Sequence, residues 1–163
     1  MSNIEARLRE LGIVLPLPPK AIGNFVYGVV TPGLLTLSGT YGTVIDEQGR
    51  DVLSCTGKVG DDVSPQEAYA SARTAAVNLF AMAKAVLGDL DRIVRVVRVG
   101  GMVATSPGFF DAPSVVNGAS DLFVEVLGPE RGRHARVAFP VHELARNAPV
   151  ACEASFQLHE AAA

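Results

Sequence analysis

The segment "RHARVAFPVHELA", residues 133–145, reads as a buried β run with a permanent cation inside it. Ala135, Val137, Ala138, Phe139 and Val141 are apolar, and Arg136 interrupts them. The next apolar run, "VACEASF" from Val150, carries a carboxylate at Glu153 in the same way. A charge drawn into an apolar strand costs several kcal/mol unless it is paired or serves a ligand. Two readings are open. Arg136 and Glu153 form a structural ion pair or lie at an exposed sheet edge; or the guanidinium fork is held open to grip a small carboxylate in two-point fashion.

Other combinations do not assemble a site. "HELAR" at His142 begins like a zinc-protease helix but has no second histidine four residues on. His134, His142 and His159 share no metal-ligand spacing and no cysteine pair supports them, so no metal site is expected. Gly39 and Gly42 in "SGTYGTV" lack the phosphate-loop lysine and the dinucleotide glycine pattern, and a turn explains them. No Ser–His–Asp set is readable from spacing. Cys55 and Cys152 fall in strand-like segments far apart, and read as buried reduced thiols.

The elements that must carry these residues follow from periodicity. Residues 2–11 predict a short helix, with Ser2 and Glu5 as a capping box and Ile4, Leu8 and Leu11 on one face. The prolines of "LPLPPKAIGN" then forbid regular structure. "FVYGVV" and "LLTLSG" are strands split by the turn "TPG", and "DEQGRDVL" turns into a third short strand. Ser64, Pro65 and Glu67 open a helix whose apolar stripe is Tyr69, Ala72, Ala76, Leu79, Ala83 and Val86, and Gly88 ends it. Its alanines let it lie close to a neighbour. "RIVRVVRVGGMVA" is a β-branched strand in which Gly100-Gly101 suggests a bulge. A second helix near 112–127 buries Val115, Ala119, Leu122 and Val126 and stops at Gly128-Pro129. Strands near 134–141 and 149–158 complete the order β-β-β-α-β-α-β-β.

That order predicts an α+β two-layer sandwich, one sheet with both helices on one face. The 163 residues form one domain, 48% hydrophobic, and some apolar surface is expected to be covered by a partner subunit. The net charge of −3, with no basic block and no Trp, argues against nucleic acid as a partner. No apolar run approaches the roughly 20 residues of a membrane span. "MSNIEARLRELG" is charged and amphipathic rather than a signal peptide, so a cytoplasmic protein is expected.

Four stretches carry a resemblance. "AIGNF", "LTLSGTYG", "SVVNGASDLFVEVLG" and "HARVAFPVHELARNAPVACEASF" resemble, in the same order over roughly residues 16–158, the motifs of the Rid (reactive intermediate deaminase) family, also called YjgF-like or endoribonuclease L-PSP. The resemblance implies a chorismate mutase-like fold and a homotrimer whose sheets pack into a central barrel, with a ligand cleft at each subunit boundary. By position, Arg136 is the carboxylate-binding arginine and the Ala138 carbonyl the backbone contact two residues on. Glu153 is the acid that positions or activates a water, Ser38 the hydroxyl of the "SG" turn, and Asn117 the helix asparagine. Phe25 stands at the usual tyrosine position and cannot donate a hydrogen bond, though Tyr27 or Tyr41 could supply a hydroxyl. Leu144-Ala145 replaces the usual Leu-Pro, and the helix near 1–15 is an extension, which points to a divergent subgroup. The implied activity is cofactor-free hydrolysis of enamine or imine acids to 2-keto acids and ammonia. A non-catalytic trimer binding a small carboxylate at the same cleft is the alternative, and an endoribonuclease a third.

Overall fold

A computed structural model describes residues 3–159. The N-terminal helix, α1, spans Asn3–Glu10 and buries Ile4 and Leu8 against the core. Its first amides are capped from a distance: the Asp91 carboxylate accepts from Asn3 N at 2.7 Å and Ile4 N at 3.0 Å. The Ser2 half of the expected capping box lies outside the described residues.

Five strands precede the long helix, not three: β1 (Gly28–Thr31), β2 (Leu34–Leu37), β3 (Thr40–Tyr41), β4 (Thr43–Ile45) and β5 (Asp51–Leu53). The difference arises at Gly39 and Gly42. There the chain kinks, first to let β3 rejoin the sheet and then to throw β4 and β5 off as a separate hairpin around the Asp46–Arg50 turn. The remaining elements are α2 (Pro65–Leu87), β6 (Ile93–Ala104), α3 (Ala112–Leu127), the single-turn α4 (Pro129–Gly132), β7 (Ala135–Val141) and β8 (Val150–Leu158). The capping box at the start of α2 is formed, with Ser64 accepting from Glu67 N and the Glu67 carboxylate from Ser64 N. Gly88, with φ 75°, closes the helix.

The main sheet runs β1-β2-β8-β6-β7, with β3 on β8. Every pairing is antiparallel except β6–β7, which is parallel because α3 carries the chain back between them. Both long helices cover one face, which gives the expected two layers. Phe80 of α2, Phe123 of α3 and Phe156 of β8 meet at the centre with ring centroids 5.3–6.2 Å apart.

Small residues set the layer spacing. Ala68, Ala72, Ala75, Ala76 and Ala83 of α2 are fully buried, and α2 is buried well beyond the expected stripe because sheet, α3 and hairpin all touch it. Gly118 of α3 sits against the backbone of Tyr69, where a Cβ would collide with the Tyr69 carbonyl. Gly100 and Gly101 make no bulge. Both stay paired on both sides, to Glu153 and Val137 and to Cys152 and Ala138, and the irregularities fall between Ile93 and Arg95 and between Val96 and Arg98. The two glycines instead leave space above and below the sheet: a Cβ at Gly101 would strike Val116 of α3, and one at Gly100 the Glu153 side chain. Cys152 lies in β8 as expected, but Cys55 falls in irregular chain after β5.

Gly118→Ala is expected to lower unfolding stability by about 2 kcal/mol through overpacking against Tyr69, measured by urea denaturation. A change below about 0.5 kcal/mol means the helices separate freely.

Candidate functional site

Strand parity decides which charged groups can meet. Arg136 of β7 is level with Val99 of β6, which is level with Ala154 of β8. Val99 and Ala154 are core residues, so this row points to the helix layer. Glu153 is level with Gly100 and Val137, one residue out of phase, and points to the open face. Arg136 and Glu153 therefore lie on opposite sides of the sheet, with β6 between their strands. The structural ion pair is not formed.

Arg136 turns instead onto α3. Its Nη1 donates to Asn117 Oδ1 at 2.7 Å and Ser120 Oγ at 3.0 Å, and its Nη2 donates to the Pro113 carbonyl at 3.3 Å. A guanidinium has five N–H donors. The Nε hydrogen and one on Nη2 meet no acceptor among the described residues. These two form the edge that a carboxylate can take side-on. The group is half-buried and fixed by three bonds, so little rotamer entropy remains to be lost on binding.

Glu153 lies flat over Gly100, half-buried, and its carboxylate accepts no hydrogen bond among the described residues. Ser38 follows β2. Extending the pairing of Thr36 with Ser155 brings it level with Glu153 on the open face. Its Oγ donates to the Val26 carbonyl at 2.6 Å and its amide to the Tyr27 carbonyl at 2.9 Å, so the hydroxyl closes a turn. Ala138 lies two residues after Arg136 on the edge strand β7, where alternate backbone groups have no sheet partner.

Phe25 stands apart. It precedes β1, and β1 and β7 are opposite edges of the sheet, four strand spacings or roughly 19 Å from each other. Phe25 is 46% exposed and lines a cleft of about 40 Å³ with Tyr27, Tyr41 and Arg146. Arg146 adopts a left-handed backbone, φ 63°, and its guanidinium bonds the Asp51 carboxylate at 2.9 Å and carbonyl at 2.7 Å. One chain thus brings Arg136 together with Asn117, and Ser38 together with Glu153, and leaves Phe25, next to the Val26 that Ser38 bonds, far from the arginine.

Two further residues join the arginine, neither among those expected at the site from sequence. Ser120 Oγ lies 3.0 Å from His134 Nε2, and His134 Nδ1 lies 2.6 Å from the Gly132 carbonyl. Ser120 is one helical turn from Asn117, on the same face of α3. That periodicity was the available signal. Burial lowers the His134 pKa, and the nearby Arg136 cation lowers it further against the opposing bond to Gly132. Burial pushes the Cys152 thiol up to about 12, so it is an inert core group. Among the described residues no three His, Cys, Asp or Glu side chains gather as metal ligands. No described helix is long and apolar enough to cross a membrane.

This geometry can be set beside known proteins. The family model described as "YjgF/chorismate mutase-like, putative endoribonuclease" matches residues 5–152. The chain belongs to the YjgF-like family. It is 38% identical over 158 residues to protein TCP17 of Trypanosoma cruzi, covering 96% of this chain and 95% of that one. The crystal structure of Atu1372 from Agrobacterium tumefaciens is 40% identical, with a TM-score of 0.84 over 96% of this chain and 93% of that one. A "putative endoribonuclease" from Shewanella oneidensis is 30% identical, with a TM-score of 0.87 over 95% and 99%. The two-layer sheet-and-helix architecture is therefore the chorismate mutase-like fold of this family.

His134 also makes stability depend on pH. Its folded pKa lies below the unfolded value of about 6.5. The unfolded chain therefore binds more protons across that window, and stability falls as pH drops through about 6.5. Melting curves between about pH 7.5 and pH 5.5 are expected to shift downward for the natural chain and to shift less for His134→Gln. An identical shift in both assigns the acid sensitivity elsewhere.

Proposed function

We propose that the protein hydrolyses reactive 2-imino acids, and the enamines that tautomerise to them, giving 2-keto acids and ammonia. The observation that carries this reading is the Arg136 guanidinium, anchored on three sides by α3 with its remaining edge free for a carboxylate. In the reaction, Arg136 holds the substrate carboxylate and a backbone carbonyl at Ala138 accepts a hydrogen bond from the imine nitrogen. Water adds to the C=N carbon and gives a proton to the nitrogen. The C–N bond of the resulting carbinolamine then breaks, releasing ammonia and leaving the C=O of the keto acid. Glu153 has the character of the water-orienting group: an unbonded, half-buried carboxylate at the middle of an open sheet face. No redox partner or cofactor enters this balance. Holding water and acceptor together supplies the acceleration.

The parity of the sheet supports reading the site as one built by more than one copy. Arg136 sits at the β7 edge facing the helices, Glu153 and Ser38 on the open face, and Phe25 at the β1 edge. A cyclic homotrimer that places the β7 edge of one copy against the open face and β1 edge of the next would gather all three groups at one boundary. Exposed Val29, Val97 and Phe139, 40–56% accessible in the single chain, are the apolar surface such packing would cover.

The same separation favours one second reading, a trimer that binds a small carboxylate without turning it over: within one chain Glu153 does not face the arginine's ligand edge. The endoribonuclease named for the family and for the Shewanella relative is a third. The groove shared by Arg95 and Arg133 is the feature that bears on it.

Purified protein added to a freshly generated 2-imino acid is expected to speed ammonia release. Arg136→Ala should lower kcat/KM by about 100-fold, the worth of two charge-assisted bonds, while the oligomer persists in size-exclusion chromatography. Glu153→Gln should lower kcat with little change in KM. An inactive natural chain whose melting temperature rises with added 2-keto acid supports the binding reading. RNA cleavage that survives Arg136→Ala supports the third.

A further inference from the structure

The bonds beyond Arg136 form a chain whose direction is fixed by what each atom can do. The Gly132 carbonyl only accepts, so His134 Nδ1 carries a hydrogen. An arginine only donates, so the Ser120 oxygen accepts from Nη1. In a neutral imidazole Nε2 is then a bare acceptor, and the single Ser120 hydrogen goes to it. From Arg136 to Ser120 to His134 to Gly132 each bond thus has one donor and one acceptor, and the only N–H groups left over are those of the free Arg136 edge. The imidazole also packs against the Phe123 ring in a T-shaped contact, with centroids 5.9 Å apart.

We propose that Ser120 and His134 are positioning residues for Arg136, and that neutral His134 is what keeps the guanidinium's free edge aimed at its carboxylate ligand. This rests on the reading of Arg136 as the carboxylate clamp. A proton on Nε2 turns the acceptor into a donor. Ser120 must then swing its own hydrogen elsewhere, and a second cation stands one hydroxyl away from the guanidinium. Among the described residues no carboxylate is bonded to the ring. On β7 the neighbours are Arg136 and the preceding Arg133, and β6 contributes Arg95 beside the same groove. On α3, Asp121 is bonded to Tyr69 at 2.8 Å and Glu125 to Arg73 at 3.1 Å. In α4, Glu130 is exposed and Arg131 bonds the Ile93 and Val94 carbonyls. The expected consequence is loss of substrate affinity on the acid side, without loss of the chemical step.

The test uses imine hydrolysis by the full chain between about pH 5 and pH 8, with KM and kcat read separately. Ser120→Ala and His134→Phe are expected to raise KM about tenfold and to change kcat less than about twofold. His134→Gln offers an amide oxygen that accepts from Ser120 and never protonates. It should keep the natural KM and lose the acid limb of kcat/KM. Unchanged KM in folded Ser120→Ala and His134→Phe, or the same acid limb in His134→Gln, overturns the proposal. A second readout is independent of activity: the NMR titration of the His134 ring. Arg136→Gln removes the neighbouring cation and is expected to raise the pH at which His134 protonates, and an unmoved titration overturns the coupling. If the natural chain neither hydrolyses imines nor binds 2-keto acids, the functional reading fails by itself and the titration alone decides whether the chain couples the two residues.

Discussion

The close seating of α3 is the constraint on which the arrangement depends. Gly118 lets this helix touch the α2 backbone, and Gly101 makes room on β6 for Val116. Interiors packed to crystal-like density transmit such contacts rigidly. The result is a helix whose Asn117 and Ser120 stand within hydrogen-bond distance of an arginine on the edge strand β7. A Cβ at Gly118 would collide with the Tyr69 carbonyl and one at Gly101 with the Val116 side chain, so either would press α3 out of its seat. Fold and site thus share one cause, the absence of two Cβ atoms.

The second organising fact is the central place of β6. It pairs antiparallel with β8 and parallel with β7, so two segments joined by a short connection in sequence end on either side of a third. Side chains alternate strictly along a strand. Arg136 and Glu153 fall in rows of opposite parity, and their charges are separated by the sheet itself. That arrangement prevents mutual neutralisation. It leaves the cation committed to α3 and the anion committed to the uncovered face, each with capacity to spare.

Several polar groups elsewhere are spent on structure. Asn78 is buried and bonds the Tyr41 and Thr43 carbonyls at 3.0 Å each, fixing the hairpin to α2. Asp91 ties α1 down. Arg73–Glu125 joins α2 to α3 at the surface, where screening leaves such a pair little weight. Against this background the unfilled edge of Arg136 and the unbonded carboxylate of Glu153 stand out as groups not consumed by folding.

Local chemistry was legible in the residues alone. The capping box at Ser64 and Glu67, the stop at Gly88, the α3 stripe of Val115, Ala119, Leu122 and Val126, and the two charges inside apolar runs all follow from interactions spanning a few residues. The two-layer class followed from the order of those elements. Only the tertiary structure decided the rest. It decided that Gly100 and Gly101 clear space rather than form a bulge, that the distant Asp91 accepts from the first amides of α1, and that "SGTYGTV" divides into β3 and a separate hairpin. It decided that Arg136 and Glu153 face apart, and that Ser120 and His134 join the arginine. The reason is common to all of these. Caps and stripes are set by neighbours along the chain, whereas side-chain partners across a sheet depend on strand order and pairing parity, and a shift of one residue in register reverses every face.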